Sequence, residues 1–191
     1  PMVVLIGAET LVGGYALDQF VDMGAGDHFL VRPVLCGAPD LDLAPIRASI
    51  IRTSPELKDV REIPDAVSAT ADVFSSIMEG ATRVLLIVGV QGTSTDDCYD
   101  FAEKVFVAAR EHKVESLTLL SKVRAEGSAS SLQFGRIEAR LGQLLESDCT
   151  IARAGILCED LLASSGVTED GKNVVVPLGD GRCAPISAKE V

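Results

Sequence analysis

The chain has 191 residues, a length typical of one domain, and 47% of them are hydrophobic. Such a composition buries a substantial core, which excludes general disorder and collagen-like order. The formal net charge is -11, from 17 basic and 28 acidic residues. Because this surface repels a phosphate backbone on average, we expect no nucleic acid partner.

The apolar runs, cysteines and histidines limit the cellular compartment and the kinds of site that we expect. No apolar run in the sequence approaches the roughly 20 residues that span a bilayer, and the first run lacks the basic flank and length of a secretory signal. We therefore expect no membrane association and a cytoplasmic location. The five cysteines include no C-x-x-C pair, which favours reduced thiols. Neither histidine has a Cys or His partner at ligand spacing, so we expect no metal site.

Strand-like apolar runs alternate with helical periodicity from the first residue. A buried strand is predicted at residues 2–6, followed by a helix from Leu11 to about Asp22. A second strand is predicted at 29–36, where Pro33 indicates that the strand is irregular or lies partly at an edge, because proline cannot donate to a ladder. The short β-like run at 48–53 predicts the third strand.

The same alternation continues through the second half. It predicts strands at residues 83–90, 116–121 and 149–154, with helical stripes at 67–78, 98–109 and 134–145. The whole pattern predicts an α/β fold with a doubly wound parallel sheet, a Rossmann-type core over residues 1–154. Short elements between glycines, with a strand at 174–176, predict a small C-terminal peripheral lobe over residues 155–191.

The first strand-to-helix turn is the candidate cofactor site. In a doubly wound sheet this turn contacts the pyrophosphate of a dinucleotide, at the carboxyl ends of the strands. Gly7 and Gly13 suit the tight turn and close helix packing, but Glu9 and Thr10 stand where backbone must approach phosphate. The spacing of the glycines fits either a dinucleotide-binding loop that lacks its middle glycine or a turn with only a structural role. The candidate cofactor-binding residues are Gly7, Glu9, Thr10, Leu11, Val12, Gly13, Cys36, Val88, Gly89 and Gln91.

The end of the second strand bears on the choice of cofactor. NAD enzymes usually place Asp or Glu there, and NADP enzymes a basic residue. Here Cys36 stands at that end, Asp40 and Asp42 follow, and Arg32 shares the pleat parity of Cys36. We expect Arg32 to extend to solvent and the two aspartates to solvate a loop. NADP, NAD and no cofactor all stay open.

Several motifs follow one another in a fixed order. They are V-L-I-G-A-E-T-L-V-G at residues 4–13, the apolar strand at 83–90, A-A-R-E-H-K-V at 108–114 before a strand ending at Ser121, T-I-A-R-A-G at 150–155, and V-P-L-G-D-G-R-C-A-P-I-S at 176–187. Over nearly the whole chain, they resemble the NmrA-like family of atypical short-chain dehydrogenases/reductases. The resemblance implies a Rossmann domain that binds NADPH or NADH, with a C-terminal region that closes over a small-molecule substrate. Since members normally continue well past residue 191, it also implies a substrate lobe that is truncated here or supplied by another chain.

The catalytic positions depart from the family pattern. The Tyr-x-x-x-Lys pair is missing, because Gln19 stands four residues after Tyr15 and Glu103 four after Tyr99. A lysine-only variant, seen in related aryl-ether reductases, finds only Arg136 at the matching helix. The candidate catalytic residues are therefore Ser121, whose hydroxyl would polarise a substrate carbonyl, and Lys122, a candidate proton donor.

The leading interpretation is an NAD(P)-binding NmrA-like protein that acts as an NAD(P)H-dependent reductase of a small organic substrate. One alternative is a non-catalytic redox-sensing or regulatory subunit, suggested by the missing Tyr and Lys. Another is a cofactor-independent isomerase or cyclase on the same fold, suggested by Thr10 and Cys36. The general frequency of symmetric assemblies favours a homodimer.

Overall fold

The computed structural model describes residues 1–38, 41–89, 94–122, 129–144, 148–155, 157–160, 166–167, 174–175 and 185–191. Within them, one parallel sheet comprises β1 Met2–Ile6, β2 Leu30–Cys36, β3 Arg61–Ile63, β4 Arg83–Ile87, β5 Ser116–Lys122 and β6 Asp148–Ala154. The connecting helices are α1 Leu11–Asp22, α2 Ala44–Thr53, α3 Ala71–Met78, α4 Thr95–Glu111 and α5 Ala129–Leu144. The strand order β3-β2-β1-β4-β5-β6 confirms the predicted doubly wound α/β fold. Two short strands, β7 Gly166–Val167 and β8 Val174–Val175, pair antiparallel.

The core lies on both faces of the sheet. Leu5 of β1 belongs to the apolar cluster that includes Leu17 of α1, whereas the next residue, Ile6, belongs to the cluster that includes Phe74 of α3 and Phe101 of α4. Successive strand side chains point to opposite faces, so a strand covered on both sides is apolar throughout. This is why the inner strands appear in the sequence as uninterrupted apolar runs.

The third strand differs from the prediction. The run at 48–53 lies within α2, and β3 is Arg61–Ile63 instead. Pro45 stands in the first turn of α2, where its fixed φ suits a helix, and Ile46 and Ile50 lie one turn apart on the side that packs against the core. Periodicity cannot distinguish such a short apolar run from a strand, so the prediction was wrong.

β2 pairs with β1 on one side, and its carboxyl half pairs with β3 on the other. The Val34 carbonyl accepts the N–H groups of Gly7 and Ala8, so the backbone polar groups of Val34 point toward β1. Because these groups alternate along a strand, the nitrogen of Pro33 points toward β3. The pairing with β3 begins only at Val34, opposite Arg61. No ladder hydrogen bond is lost at Pro33, because β2 is unpaired on its β3 side there. This agrees with the expectation of a strand that lies partly at an edge.

Arg32 is buried, whereas the sequence led us to expect it in solvent. Its Nε donates to Asp59 Oδ2 at 2.6 Å, and its Nη1 donates to the carbonyls of Ile77 and Glu79. These two carbonyls lie at the end of α3, where helix carbonyl groups lack intrahelical partners. Arg32 therefore joins β2 to α3 through its Nε and Nη1 donors.

Candidate functional site

The turn between β1 and α1 requires glycine at two positions. Gly7 has φ +92°, and a Cβ there would lie 2.6 Å from the Ile87 carbonyl oxygen. A Cβ on Gly13 would lie 2.2 Å from the Gly7 carbonyl oxygen. The two glycines therefore let the turn pass close to β4 and let α1 start against the turn.

Thr10, which replaces the middle glycine of the loop, caps α1. Its hydroxyl accepts the Gly13 N–H at 3.0 Å and donates to the Gly7 carbonyl at 2.7 Å. The structure gives the N–H groups of Leu11 and Val12 no hydrogen-bond acceptor among its described residues. Two donors thus remain at the positive end of the helix dipole, the arrangement that binds anions.

Glu9 reaches from this turn to the end of β2. Its Oε2 accepts the backbone N–H of Cys36 at 2.9 Å. Burial raises the pKa of Glu9 above its usual value, although hydrogen bonds from the Cys36 N–H and from its own N–H oppose the shift. The carboxylate therefore lies at the carboxyl end of β2.

Cys36 lies in the core beneath Glu9, with 2% of its surface exposed. Burial, reinforced by the nearby Glu9 charge, raises the pKa of the Cys36 thiol well above its usual value. A protonated, buried thiol is a poor nucleophile. Cys36 therefore contributes its backbone and its packing to the site.

A crevice lies between the β1–α1 turn and the carboxyl end of β4, which forms its other wall. Val88 is buried and Gly89 exposed, and a Cβ on Gly89 would lie 3.9 Å from the Thr10 methyl carbon. Because β2 and β3 continue on one side of β1 and β5 and β6 on the other side of β4, this crevice is the topological switch point of the sheet. Gln91, the remaining predicted cofactor residue, lies outside the described residues.

A cavity of about 420 Å³ opens beside the turn, between α1 and α2. Its polar lining includes two carboxylates, from Glu9 and Asp18, and the phenol of Tyr15. Among the described residues, no lysine or arginine lines it. The other lining residues are Ala8, Thr10, Leu11, Gly14, Leu17, Ile46, Ser49, Ile50, Thr53 and Ser54.

The Ser121 hydroxyl, at the carboxyl end of β5, is hydrogen-bonded within the protein. Its hydroxyl donates to Glu138 Oε1 at 2.7 Å, and Arg153 donates from Nε and Nη2 to the two oxygens of the same carboxylate, at 3.0 and 2.8 Å. A serine hydroxyl has one hydrogen, so Ser121 has none left to donate to a substrate carbonyl. The sequence analysis missed Glu138, although a carboxylate one helical turn after Phe134, inside the apolar stripe of α5, was a usable signal.

Lys122, the other candidate catalytic residue, and Arg136, which stands where a lysine was sought, make other contacts. Lys122 is exposed, and its Nζ lies 5.8 Å from the centroid of the Phe134 ring. Arg136 lies over the Tyr99 ring at 4.5 Å and pairs with Asp96 at 2.8 Å. The structure therefore brings Ser121 to Glu138 and Arg153, and leaves Lys122 on the surface.

Comparison with known proteins identifies the fold. No protein-family model and no curated protein sequence matches the chain. NmrA, a negative transcriptional regulator solved in complex with NADP, superposes with a TM-score of 0.65 at 14% identity, over 89% of this chain and 52% of its own. The chain has the Rossmann fold of NmrA. This confirms, at the level of the fold, the resemblance found in the sequence motifs.

Two reductases of known structure also superpose on the chain. An NADPH-dependent quinone oxidoreductase from Escherichia coli, complexed with NADPH, has a TM-score of 0.66 at 19% identity, over 85% of this chain and 52% of its own. The triphenylmethane reductase of Citrobacter sp. has a TM-score of 0.67 at 15% identity, over 86% and 54%. The chain thus spans about half the length of the solved structures it resembles.

NmrA and the quinone oxidoreductase were solved with NADP and NADPH, and the first turn of this chain offers a dinucleotide a partial match. The Leu11 and Val12 amides, which have no acceptor among the described residues, and the close approach at Gly7 fit a diphosphate. The Thr10 side chain, however, narrows the space between this turn and Gly89. Two searches gave negative results over the described part of the chain. It contains no group of three or more His, Cys, Asp or Glu side chains that would hold a metal ion, and no helix with the length and apolar character to cross a membrane.

Proposed function

We propose that this protein binds a nicotinamide dinucleotide, NADP(H) or NAD(H), at the carboxyl edge of its sheet. The observation that carries the proposal is the pair of amide donors of Leu11 and Val12, directed from the start of α1 at the topological switch point. Structures of the same fold solved with NADPH or NADP support it.

Each residue of the site has a distinct part in this proposal. Leu11 and Val12 would hold the diphosphate through their N–H groups. Thr10 fixes the first turn of α1 through its cap, and Val88 and Gly89 form the facing wall. When bound, the nicotinamide ring supplies or accepts a hydride. The region from residue 155 onward would belong to the substrate lobe.

Two reaction classes are candidates for the bound dinucleotide. A reductase of a small organic substrate is the first candidate, with Ser121 and Lys122 as the residues to test. The engagement of the Ser121 hydroxyl by Glu138 favours the second candidate, a redox-sensing regulator that binds the dinucleotide without turnover. Hydride exchange with a panel of carbonyl and quinone substrates separates them, because only the reductase oxidises its bound cofactor.

Isothermal titration with NADPH and NADH tests the binding itself. Leu11→Pro is the sharpest variant, because proline at the first helical position deletes one amide donor while suiting the start of a helix. The extended backbone of Thr10, at φ -76° and ψ 159°, also tolerates a following proline. We expect Leu11→Pro to weaken binding about tenfold, as for the loss of one charge-assisted hydrogen bond.

Leu11→Ala is the matched control, since it removes the half-exposed side chain and keeps the amide. We expect it to bind like the parent chain. Absence of binding by the parent chain at millimolar concentrations of both cofactors would overturn the proposal. Equal effects of the two substitutions would show that the amide is not a ligand.

A further inference from the structure

The carboxylate at the end of β2 comes from the first turn of the chain. The last residue of β2, Cys36, has no carboxylate of its own. Glu9 Oε2, however, lies 2.9 Å from the Cys36 backbone nitrogen. In dinucleotide-binding folds a carboxylate at the end of the second strand accepts hydrogen bonds from the adenosine ribose, and a basic residue there accommodates a 2′-phosphate. We infer that Glu9 binds the ribose hydroxyls and makes the site select NAD(H) over NADP(H), an inference that rests on the proposed function.

Glu9 retains the capacity for this contact. A carboxylate offers about four acceptor sites. Backbone N–H groups of Cys36 and of Glu9 itself use part of that capacity. In the described part of the chain, no lysine or arginine forms an ion pair with Glu9. The remaining oxygen lone pairs can therefore accept hydroxyl groups, and the negative charge repels a phosphate.

The aspartates that follow β2 do not supply an equivalent carboxylate in the described part of the chain. Asp42 Oδ1 accepts the Ala44 N–H at 3.0 Å, at the start of α2. Asp40 lies outside the described residues. Glu9 is thus the carboxylate that the structure shows at the end of β2.

The nearby basic side chains are engaged elsewhere. Arg32 is bound to Asp59 and to the end of α3. Arg47 of α2 pairs with Glu62 at 3.3 Å. The cavity beside Glu9 adds a second carboxylate, that of Asp18, and no cation from the residues described. A 2′-phosphate beside Glu9 would therefore meet negative charge, with no compensating base among the residues that the structure describes.

Calorimetric titration of the unmodified chain with NADH and NADPH is the primary test. We expect NADH to bind at least about tenfold more tightly, because a hydrogen bond to a charged group is worth that factor or more. Equal affinities, or tighter binding of NADPH, would overturn the inference and leave dinucleotide binding intact. Failure of both cofactors to bind at millimolar concentration would instead overturn the proposed function, and the inference with it.

Glu9→Gln assigns the selectivity to this residue. The amide oxygen can still accept the Cys36 N–H, so we expect the variant to fold while the negative charge is lost. The ratio of NADPH to NADH dissociation constants should fall at least about fivefold, most of it from tighter NADPH binding. Glu115→Gln, at an exposed site just before β5, is the matched control and should leave the ratio unchanged. An unchanged ratio in folded Glu9→Gln would refute the role of Glu9.

Discussion

Ser121 and Glu138 form a buried hydrogen bond, 2.7 Å long, that joins the end of β5 to α5. Arg153, the register partner of Ser121 on β6, binds the same carboxylate with two nitrogens. Three elements thus meet at one carboxylate. The arrangement stabilises the sheet edge where the sequence alone suggested a substrate-polarising hydroxyl.

Ser121→Ala tests whether this hydroxyl is structural. We expect the free energy of unfolding to fall by about 1–3 kcal/mol, because one hydrogen bond to a charged group is lost in the interior. Urea denaturation measures the change, and dinucleotide affinity should stay the same. Ser76→Ala, which removes an exposed helical hydroxyl, is the control and should have little effect. A stable Ser121→Ala chain that has lost hydride transfer would instead make Ser121 catalytic.

Glu9→Gln should change how stability depends on pH. Burial raises the pKa of Glu9, so the folded chain keeps the proton at pH values where the unfolded chain has released it. The contribution of Glu9 to the free energy of unfolding therefore falls as pH rises above the ordinary glutamate value of about 4.3. We expect Glu9→Gln to melt near the wild-type Tm at about pH 4 and above it at neutral pH.

Thermal melts across this range, with Glu115→Gln as the exposed control, measure the effect. A Tm difference that stayed constant with pH would contradict a raised pKa of Glu9.

Gly13 and Gly14 are adjacent in α1 but should respond oppositely to alanine. A Cβ on Gly13 would lie 2.2 Å from a backbone oxygen, whereas a Cβ on Gly14 meets nothing within 4 Å. We expect Gly13→Ala to lower the free energy of unfolding by about 3 kcal/mol or more. Gly14→Ala should raise it by up to about 1 kcal/mol through helix propensity. Denaturant titration of both variants checks the contrast, and similar values for the two would refute the close approach at Gly13.

Thr10→Gly should restore the missing middle glycine of the turn between β1 and α1. It removes the Cβ and the methyl group that faces Gly89, while glycine at a helix cap costs only a few tenths of a kcal/mol. Relief of about 1 kcal/mol of crowding corresponds to roughly fivefold tighter dinucleotide binding by calorimetry. Thr10→Ser keeps the cap and loses only the methyl, so its affinity should lie between those of the parent and the glycine variant. Weaker binding by Thr10→Gly would show that the threonine assists the ligand.

The local pattern of the sequence predicted most strands because a sheet covered on both faces needs apolar runs. It failed at residues 48–53, where a short apolar run fits a helix and a strand equally well. It also failed at Arg32, which is buried. The unused edge of β2 beside Pro33 and the α3 carbonyls that accept from Arg32 are set by neighbours distant along the chain.

By itself, the sequence determined the α/β class, the parallel sheet and the turn that starts α1, because hydrophobic period and glycine spacing are local properties. Only the tertiary structure decided that Glu9 lies at Cys36, 27 residues away, and that Ser121 is bound by Glu138, 17 residues away. Parallel crossovers bring the carboxyl ends of separate strands to one edge of the sheet, and their register selects which side chains meet there. A sequence pattern records which face a residue occupies, whereas its partner across the crevice depends on how the whole sheet is paired.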